Sequence, residues 1–197
     1  MVLILAAYTL SPAKASAREA EAFLDDLANS GLATLKANEY TDAERKLAFR
    51  RLARKGFALE AIGQFVAGRH WRGMSDEQRA EFRELSSEWL LTSYTRRLGG
   101  YDGQSLEIVK SVELQNNARD VLVQTRVVYA DSQPPVRAEW RIREFDGEPK
   151  IIDVMIEGVS MAAAQRAEFD AVIRKIGVDG LLDNLRSRLA VLVAGNE

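Results

Sequence analysis

Residues 136–145 read VRAEWRIREF, and their alternation decides the fold. Val136, Ala138, Trp140 and Ile142 fall on one side of an extended chain, and Arg137, Glu139, Arg141 and Arg143 on the other. Successive side chains of a strand point to opposite faces, so this pattern marks a strand with one face in a core and one in water. Working upstream, residues 120–130 (DVLVQTRVVYA) set Val121, Val123, Val127 and Tyr129 against Gln124 and Arg126, and residues 105–109 (SLEIV) set Leu106 beside Ile108. Downstream, residues 150–158 (KIIDVMIEG) form a fourth strand, with Ile152, Val154 and Ile156 expected in the core. The turns DSQPP and FDGEP separate these strands. Connections that short imply an antiparallel meander of four strands.

The sequence on either side has a helical period. Residues 20–36 place apolar side chains at Phe23, Leu24, Leu27, Leu32 and Leu35. Thr41 with Glu44, and Ser75 with Gln78, have capping-box spacing and open two further helices, ending near Gly56 and Leu98. FALEAIGQFVAG between them is a short apolar helix. From Trp89 onward the apolar arc of the long helix widens through Leu90, Leu91, Tyr94 and Leu98, so that half is expected to be enclosed on more than one side. Two closing helices follow, Met161 to Ile176 and about Val178 to Val193, separated by Gly177. The fold class is α+β: a four-stranded antiparallel sheet covered by N- and C-terminal helices, with one apolar face able to enclose a pocket.

Composition narrows the chemistry. A chain of 197 residues with 47% hydrophobic residues suits one core. Its formal charge of −2 gives no global attraction to nucleic acid. With no cysteine and one histidine, His70, it has no thiol catalysis, no disulfide and no multi-histidine metal site. Residues 2–10 (VLILAAYTL) are too short to span a bilayer, and Ala13-Lys14-Ala15 matches a small-x-small cleavage pattern. Residues 1–15 are therefore read as an incomplete secretory signal peptide lacking its basic start, and residues 16–197 as a single domain.

Three groups of residues are candidates for chemistry. Asp153, Glu157 and Ser160 lie together in DVMIEGVS. On an extended strand the two acids share a face, where Arg137, Arg141 and Arg143 of the neighbouring strand offer cross-strand partners. Ser160 precedes a helix and suits a cap better than a nucleophile, since the sequence is not G-x-S-x-G. His70 stands between Arg69 and Trp71, a context more typical of a hydrogen-bonded surface histidine than of a catalyst. Arg45, Lys46, Arg50, Arg51, Arg54 and Lys55 crowd one helix. They form either a solvated face or a docking face for an acidic partner or anionic headgroups.

Residues 134–185, from PPVRAEWRIREF through IIDVMIEGVSM to GVDGLLDNL, resemble the MlaC family of periplasmic phospholipid-binding proteins, also called toluene-tolerance auxiliary components of ABC transporters. GQFVAGRHWRGMSDEQRAEF and YDGQSLEI extend the likeness over about Glu19 to Leu189. Asp76 stands where the family commonly has proline. The hopanoid-associated subfamily shares the architecture, but EGVSM and GVDGL favour the MlaC branch.

The resemblance implies a non-enzymatic carrier in the periplasm of a Gram-negative bacterium. Such a protein shuttles a diacyl phospholipid between an outer-membrane lipoprotein–porin complex and an inner-membrane ABC transporter with an MCE-domain subunit, maintaining outer-membrane lipid asymmetry. It further implies a monomer with lipid as cargo, no cofactor, no metal and no nucleic acid. Expected lipid-lining residues are Phe65, Val66, Trp71, Leu90, Tyr94, Val136, Trp140, Ile142, Val154 and Ile156. For each of them alone, core packing explains the apolar character as well as ligand contact does. Tyr94, Trp71 and Val136 are expected nearest the pocket mouth, with the phosphate head near solvent. The alternatives are a carrier of hopanoids or another apolar ligand on the same fold, a non-catalytic adaptor with a filled core, and an enzyme using Asp153 and Glu157.

Overall fold

A computed structural model describes residues 16–36, 40–98, 104–115, 120–129 and 133–194; the segment read as a signal peptide lies outside them. Four helices come first: α1 (Ala17–Lys36), α2 (Asp42–Gly56), α3 (Leu59–Ala67) and α4 (Asp76–Leu98), with a 3-10 turn (Gly68–Gly73) between the last two. Both capping boxes form. Thr41 and Glu44 exchange side-chain and backbone bonds at the start of α2, and Ser75 and Gln78 do the same before α4. Each satisfies backbone N–H groups that a helix start leaves without partners.

The strands β1 (Ser105–Glu113), β2 (Asp120–Val128), β3 (Val136–Phe145), β4 (Glu148–Ile156) and β5 (Val159–Ser160) pair antiparallel in chain order. The sheet thus has five strands where the alternation pattern implies four. The extra one is two residues long and pairs Val159 with Ile156 and Ser160 with Met155. Its turn is Glu157-Gly158, with φ of 49° and 80°. Asp146-Gly147 turns β3 into β4 in the same way, with φ of 50° and 83°. Positive φ at both central residues suits the twist of a tight hairpin, and glycine at the second position adopts it without strain.

A bulge in β4 corrects the expected core set. Arg141 faces Asp153 but Ile142 faces Ile151, so Ile152 is the extra residue. Beyond the bulge the alternation shifts by one, and Ile151, not Ile152, enters the core with no exposed surface. The acids are also corrected. Glu157 leaves the strand and accepts the Arg137 backbone N–H at 2.6 Å. Asp153 accepts from Ser160 Oγ at 2.5 Å and from the Ala162 N–H at 3.1 Å, while Ser160 Oγ accepts from the Ala163 N–H at 3.0 Å. Together Asp153 and Ser160 cap the following helix α5 (Met161–Ala194), which Gly177 breaks with φ 76° and ψ 178°. That break divides α5 at the position the sequence indicated.

The arginine row on the outer face of β3 is taken by another acid. Asp120, at the start of β2, has no exposed surface. Its carboxylate receives Arg141 Nη2 at 2.5 Å, Arg143 Nε at 2.6 Å and Arg143 Nη2 at 3.0 Å. The bond to Asp120 is the main reason that Arg143 holds its proton more tightly than a free guanidinium. Removing one partner of a buried pair costs about 3–5 kcal/mol, less where the partners left behind reach water. The guanidinium side chains are 35% and 30% exposed. Asp120→Ala is therefore expected to lose about 2–3 kcal/mol in urea unfolding. A loss under about 0.5 kcal/mol would show that solvent replaces the carboxylate fully.

Two apolar clusters share the interior. One joins α3, α4 and α5 through Ile62, Val66, Phe82, Leu90, Phe169 and Leu182. The other joins α1 to the sheet through Ala20, Leu24, Val121, Val123, Ile142 and Ile151. Phe57, which follows α2, packs against both. It is held by a bridge to Ile151 and by the Ala58 N–H donating to the Ile151 carbonyl at 2.9 Å.

Candidate functional site

The inner face of the sheet is built from four cross-strand rows, and its burial falls along them. Across β2, β3 and β4 the first row, Val121, Ile142 and Ile151, has no exposed surface, while its β1 member Glu113 is exposed. In the second, Val123 and Val154 are buried and Trp140 between them is part-exposed. The third keeps Thr125 and Ala138 buried but leaves Ile108 and Ile156 part-exposed. In the fourth, Leu106, Val127 and Val136 are all part-exposed. Helix α1 covers this face with Ala20 and Leu24, while Phe23 and Leu27 beside them, and Met161 at the start of α5, are themselves incompletely covered. Across β2, β3 and β4 the inner face is thus sealed at one end and partly open at the other.

The open end offers carbon to a ligand. Among the described residues there, two polar side-chain atoms are used on each other and on the backbone: Trp140 Nε1 donates to Thr125 Oγ1 at 3.0 Å, and that hydroxyl donates to the Ala138 carbonyl at 3.0 Å. A satisfied hydroxyl and indole make no demand on a guest. Each part-exposed aliphatic side chain keeps apolar area that an apolar guest would remove from water, at about 25 cal/mol per Å². Such a face suits contact with hydrocarbon.

Among the expected lining residues, Val136 and Ile156 lie on the open rows, and Trp140 is part-exposed in the second row with its indole bonded to Thr125 of the third. Ile142 and Val154 lie on the same face but in the packed rows under α1. Val66 and Leu90 belong to the helical cluster and are 1% exposed. Trp71 also packs there, edge-on to Phe82 at 6.3 Å, with the Arg79 and Arg83 guanidinium groups against its ring. Phe65 points outward, 45% exposed, beneath Arg166. The Tyr94 side chain lies outside the described residues.

Leu106, Ile108 and Val127, part-exposed on these rows, were not among the expected lining. Alternation had already put Leu106, Ile108 and Val127 on the inner face; the missing signal was which row lies uncovered.

The possible catalytic groups are engaged in bonds within the fold. His70 Nε2 lies 2.7 Å from Asp170 Oδ1, and Arg69 and Arg174 each reach the same carboxylate at 3.0 Å. The His70 hydrogen bond first, then Arg174 and Arg69, hold the Asp170 carboxyl below its ordinary range against the cost of desolvation. Ser160, the candidate nucleophile, is bonded to Asp153 and the α5 backbone instead.

A family model described as MlaC protein matches residues 25–187. The chain belongs to the MlaC family. Within it, the intermembrane phospholipid transport system binding protein MlaC of Haemophilus influenzae (strain Rd) is 26% identical over 141 residues. That alignment takes in 71% of this chain and 65% of the relative's own length, just under two thirds. The fold is also that of the phospholipid-binding protein from Ralstonia solanacearum, solved in complex with a phospholipid. The two superpose with a TM-score of 0.75 at 22% identity, over 88% of this chain and 98% of that one. The α+β fold class read from VRAEWRIREF and its flanks is the one that this match shares, with five strands in the sheet where four were expected.

Proposed function

We propose that this chain is a phospholipid carrier that holds the acyl chains of its cargo against the open end of the inner sheet face. The observation that carries this reading is the gradient of burial along the four rows, ending at Leu106, Val127 and Val136 over an internally satisfied Thr125–Trp140 pair. Membership of the MlaC family and the names of its relatives support phospholipid as the cargo class. Each buried CH₂ contributes about 0.8 kcal/mol, so two acyl chains are worth on the order of 20 kcal/mol relative to water. A carrier must nearly match the bilayer on this scale, which requires apolar lining along the cleft and leaves the phosphate head in solvent.

In this reading the protein works in the periplasm of a Gram-negative bacterium, between an outer-membrane lipoprotein–porin complex and an inner-membrane ABC transporter with an MCE-domain subunit, and contributes to outer-membrane lipid asymmetry. No described helix is long and apolar enough to cross a membrane, as a freely diffusing shuttle requires. It carries cargo and performs no chemistry on it. In support, His70, Asp153, Glu157 and Ser160 each hold a bond that organises the fold.

Native mass spectrometry of protein purified from a bacterial periplasm, followed by lipid extraction, tests the proposal. A diacyl phospholipid at near one per chain is the expected result. Protein that is lipid-free and takes none from vesicles would leave a filled adaptor, and a bound triterpenoid would move the cargo to the hopanoid class.

A further inference from the structure

Helix α2 concentrates charge that the carrier reading does not use. It bears six cations, Arg45, Lys46, Arg50, Arg51, Arg54 and Lys55, against two acids, in a chain whose formal charge is −2. Glu44, one of the acids, is tied into the Thr41 capping box. Arg50 and Arg54 share Glu88 of α4, while Lys46, Arg51 and Lys55 are exposed.

At about 100° per residue, Lys46, Arg50, Arg54, Leu47, Arg51 and Lys55 follow one another around a single half of the helix. Leu47 sits near the middle of that arc and is 53% exposed. Tyr40, just before the helix, is 42% exposed. Arg50 and Arg54, on one flank of that arc, are held against α4 by Glu88 and, for Arg50, by Thr92, and the opposite half of the helix is anchored to α1. Ala53 is buried, and Gly56 lies so close to α1 that a Cβ there would fall 2.6 Å from Leu27.

We infer that the outer face of α2 is a docking surface for an anionic lipid bilayer. A row of cations around a protruding leucine, backed by a rigid helix, fits a plane of phosphate groups over hydrocarbon. The cations meet headgroups at about a factor of five in affinity each, and Leu47 reaches the interfacial carbon. Because the rest of the chain is acidic, the same field orients the protein with α2 toward the membrane and the acidic remainder away from it. An acidic protein groove would read the charges equally well but gives no role to an exposed leucine at the centre of the arc. The inference goes beyond the carrier reading, since docking needs no bound lipid.

Co-sedimentation of the full chain with vesicles of phosphatidylcholine alone, or mixed with phosphatidylglycerol, tests it. The expected result is binding to the mixed vesicles, weak binding to the neutral ones, and a steep loss as salt rises from about 0.1 M to about 1 M. Lys46→Gln, Arg51→Gln and Lys55→Gln together are expected to lower partitioning to mixed vesicles about 100-fold. Leu47→Ser is expected to lower it about tenfold with the salt dependence unchanged. All four sites are exposed, so an unchanged urea midpoint checks that the variants are folded.

Two results would overturn the docking face. One is wild-type protein that binds mixed vesicles no better than neutral ones. The other is a triple variant that binds as the wild type does, which would assign binding to another surface or to the apolar N-terminal stretch. A protein that carries lipid but ignores anionic vesicles keeps the carrier reading and loses this one. A protein that docks through α2 without cargo does the reverse.

Discussion

Phe82→Ala is expected to lower the free energy of unfolding by about 3–5 kcal/mol. Phe82 has no exposed surface. Its ring meets Phe169 of α5 edge-on at 5.8 Å and Trp71 of the 3-10 turn at 6.3 Å. One side chain from α4 thus joins three elements, and its removal leaves a cavity between rings that cannot easily collapse. Each aromatic pair adds about 0.5–1.5 kcal/mol beyond the area it buries. Phe65→Ala makes the contrast. That ring is 45% exposed and lies beneath the Arg166 guanidinium, so a loss under about 1 kcal/mol is expected. Urea unfolding followed by tryptophan fluorescence measures both. A Phe82→Ala loss below about 1.5 kcal/mol would mean that the helical cluster unfolds apart from the sheet or closes over the gap.

The architecture could be read from local chemistry because its signals are local. The alternation in β3, the two capping boxes and Gly177 each act within a few residues, and each lands where the pattern put it. The β5 hairpin was missed because Glu157-Gly158-Val159-Ser160 carries two compatible signals, a tight turn and a helix cap, and the chain uses both. The core position of Ile151, expected at Ile152, was missed for a related reason. A bulge is a misfit between two strands, and β4 on its own reads as uninterrupted alternation. Likewise the partner of Arg141 could not be found by strand adjacency, since Asp153 lies opposite it but is drawn away to cap α5.

The site was less legible than the fold. An apolar residue carries the same information whether it fills a core or lines a cleft. Trp71 and Trp140 look alike in sequence. One is packed among Phe82, Arg79 and Arg83, and the other stands on the partly open rows of the sheet. What separates them is the extent of the covering helices, which is set by where α1 and α5 cross the sheet and not by any property of either tryptophan.

A double substitution at the open end, Val136→Glu with Ile156→Glu, is expected to abolish lipid retention while leaving the protein folded. Both residues are part-exposed on the inner face, in adjacent rows. In the lipid-free protein the new carboxylates reach water. In the loaded protein they would lie against acyl chains, where an unpaired polar group costs several kcal/mol. The penalty therefore falls almost entirely on the bound state, and co-purifying phospholipid should drop at least about tenfold. Ile142→Glu inverts the partition. It buries a charge in the sealed first row, with Val121 and Ile151 as neighbours, and is expected to unfold the domain whether or not lipid is present. Val136→Leu with Ile156→Leu keeps the lining apolar and should carry lipid as before. The open-end assignment fails if the double glutamate variant is folded and still loaded. The acyl chains would then lie in the helical cluster around Leu90, and the gradient of burial along the sheet would reflect only its ragged edge.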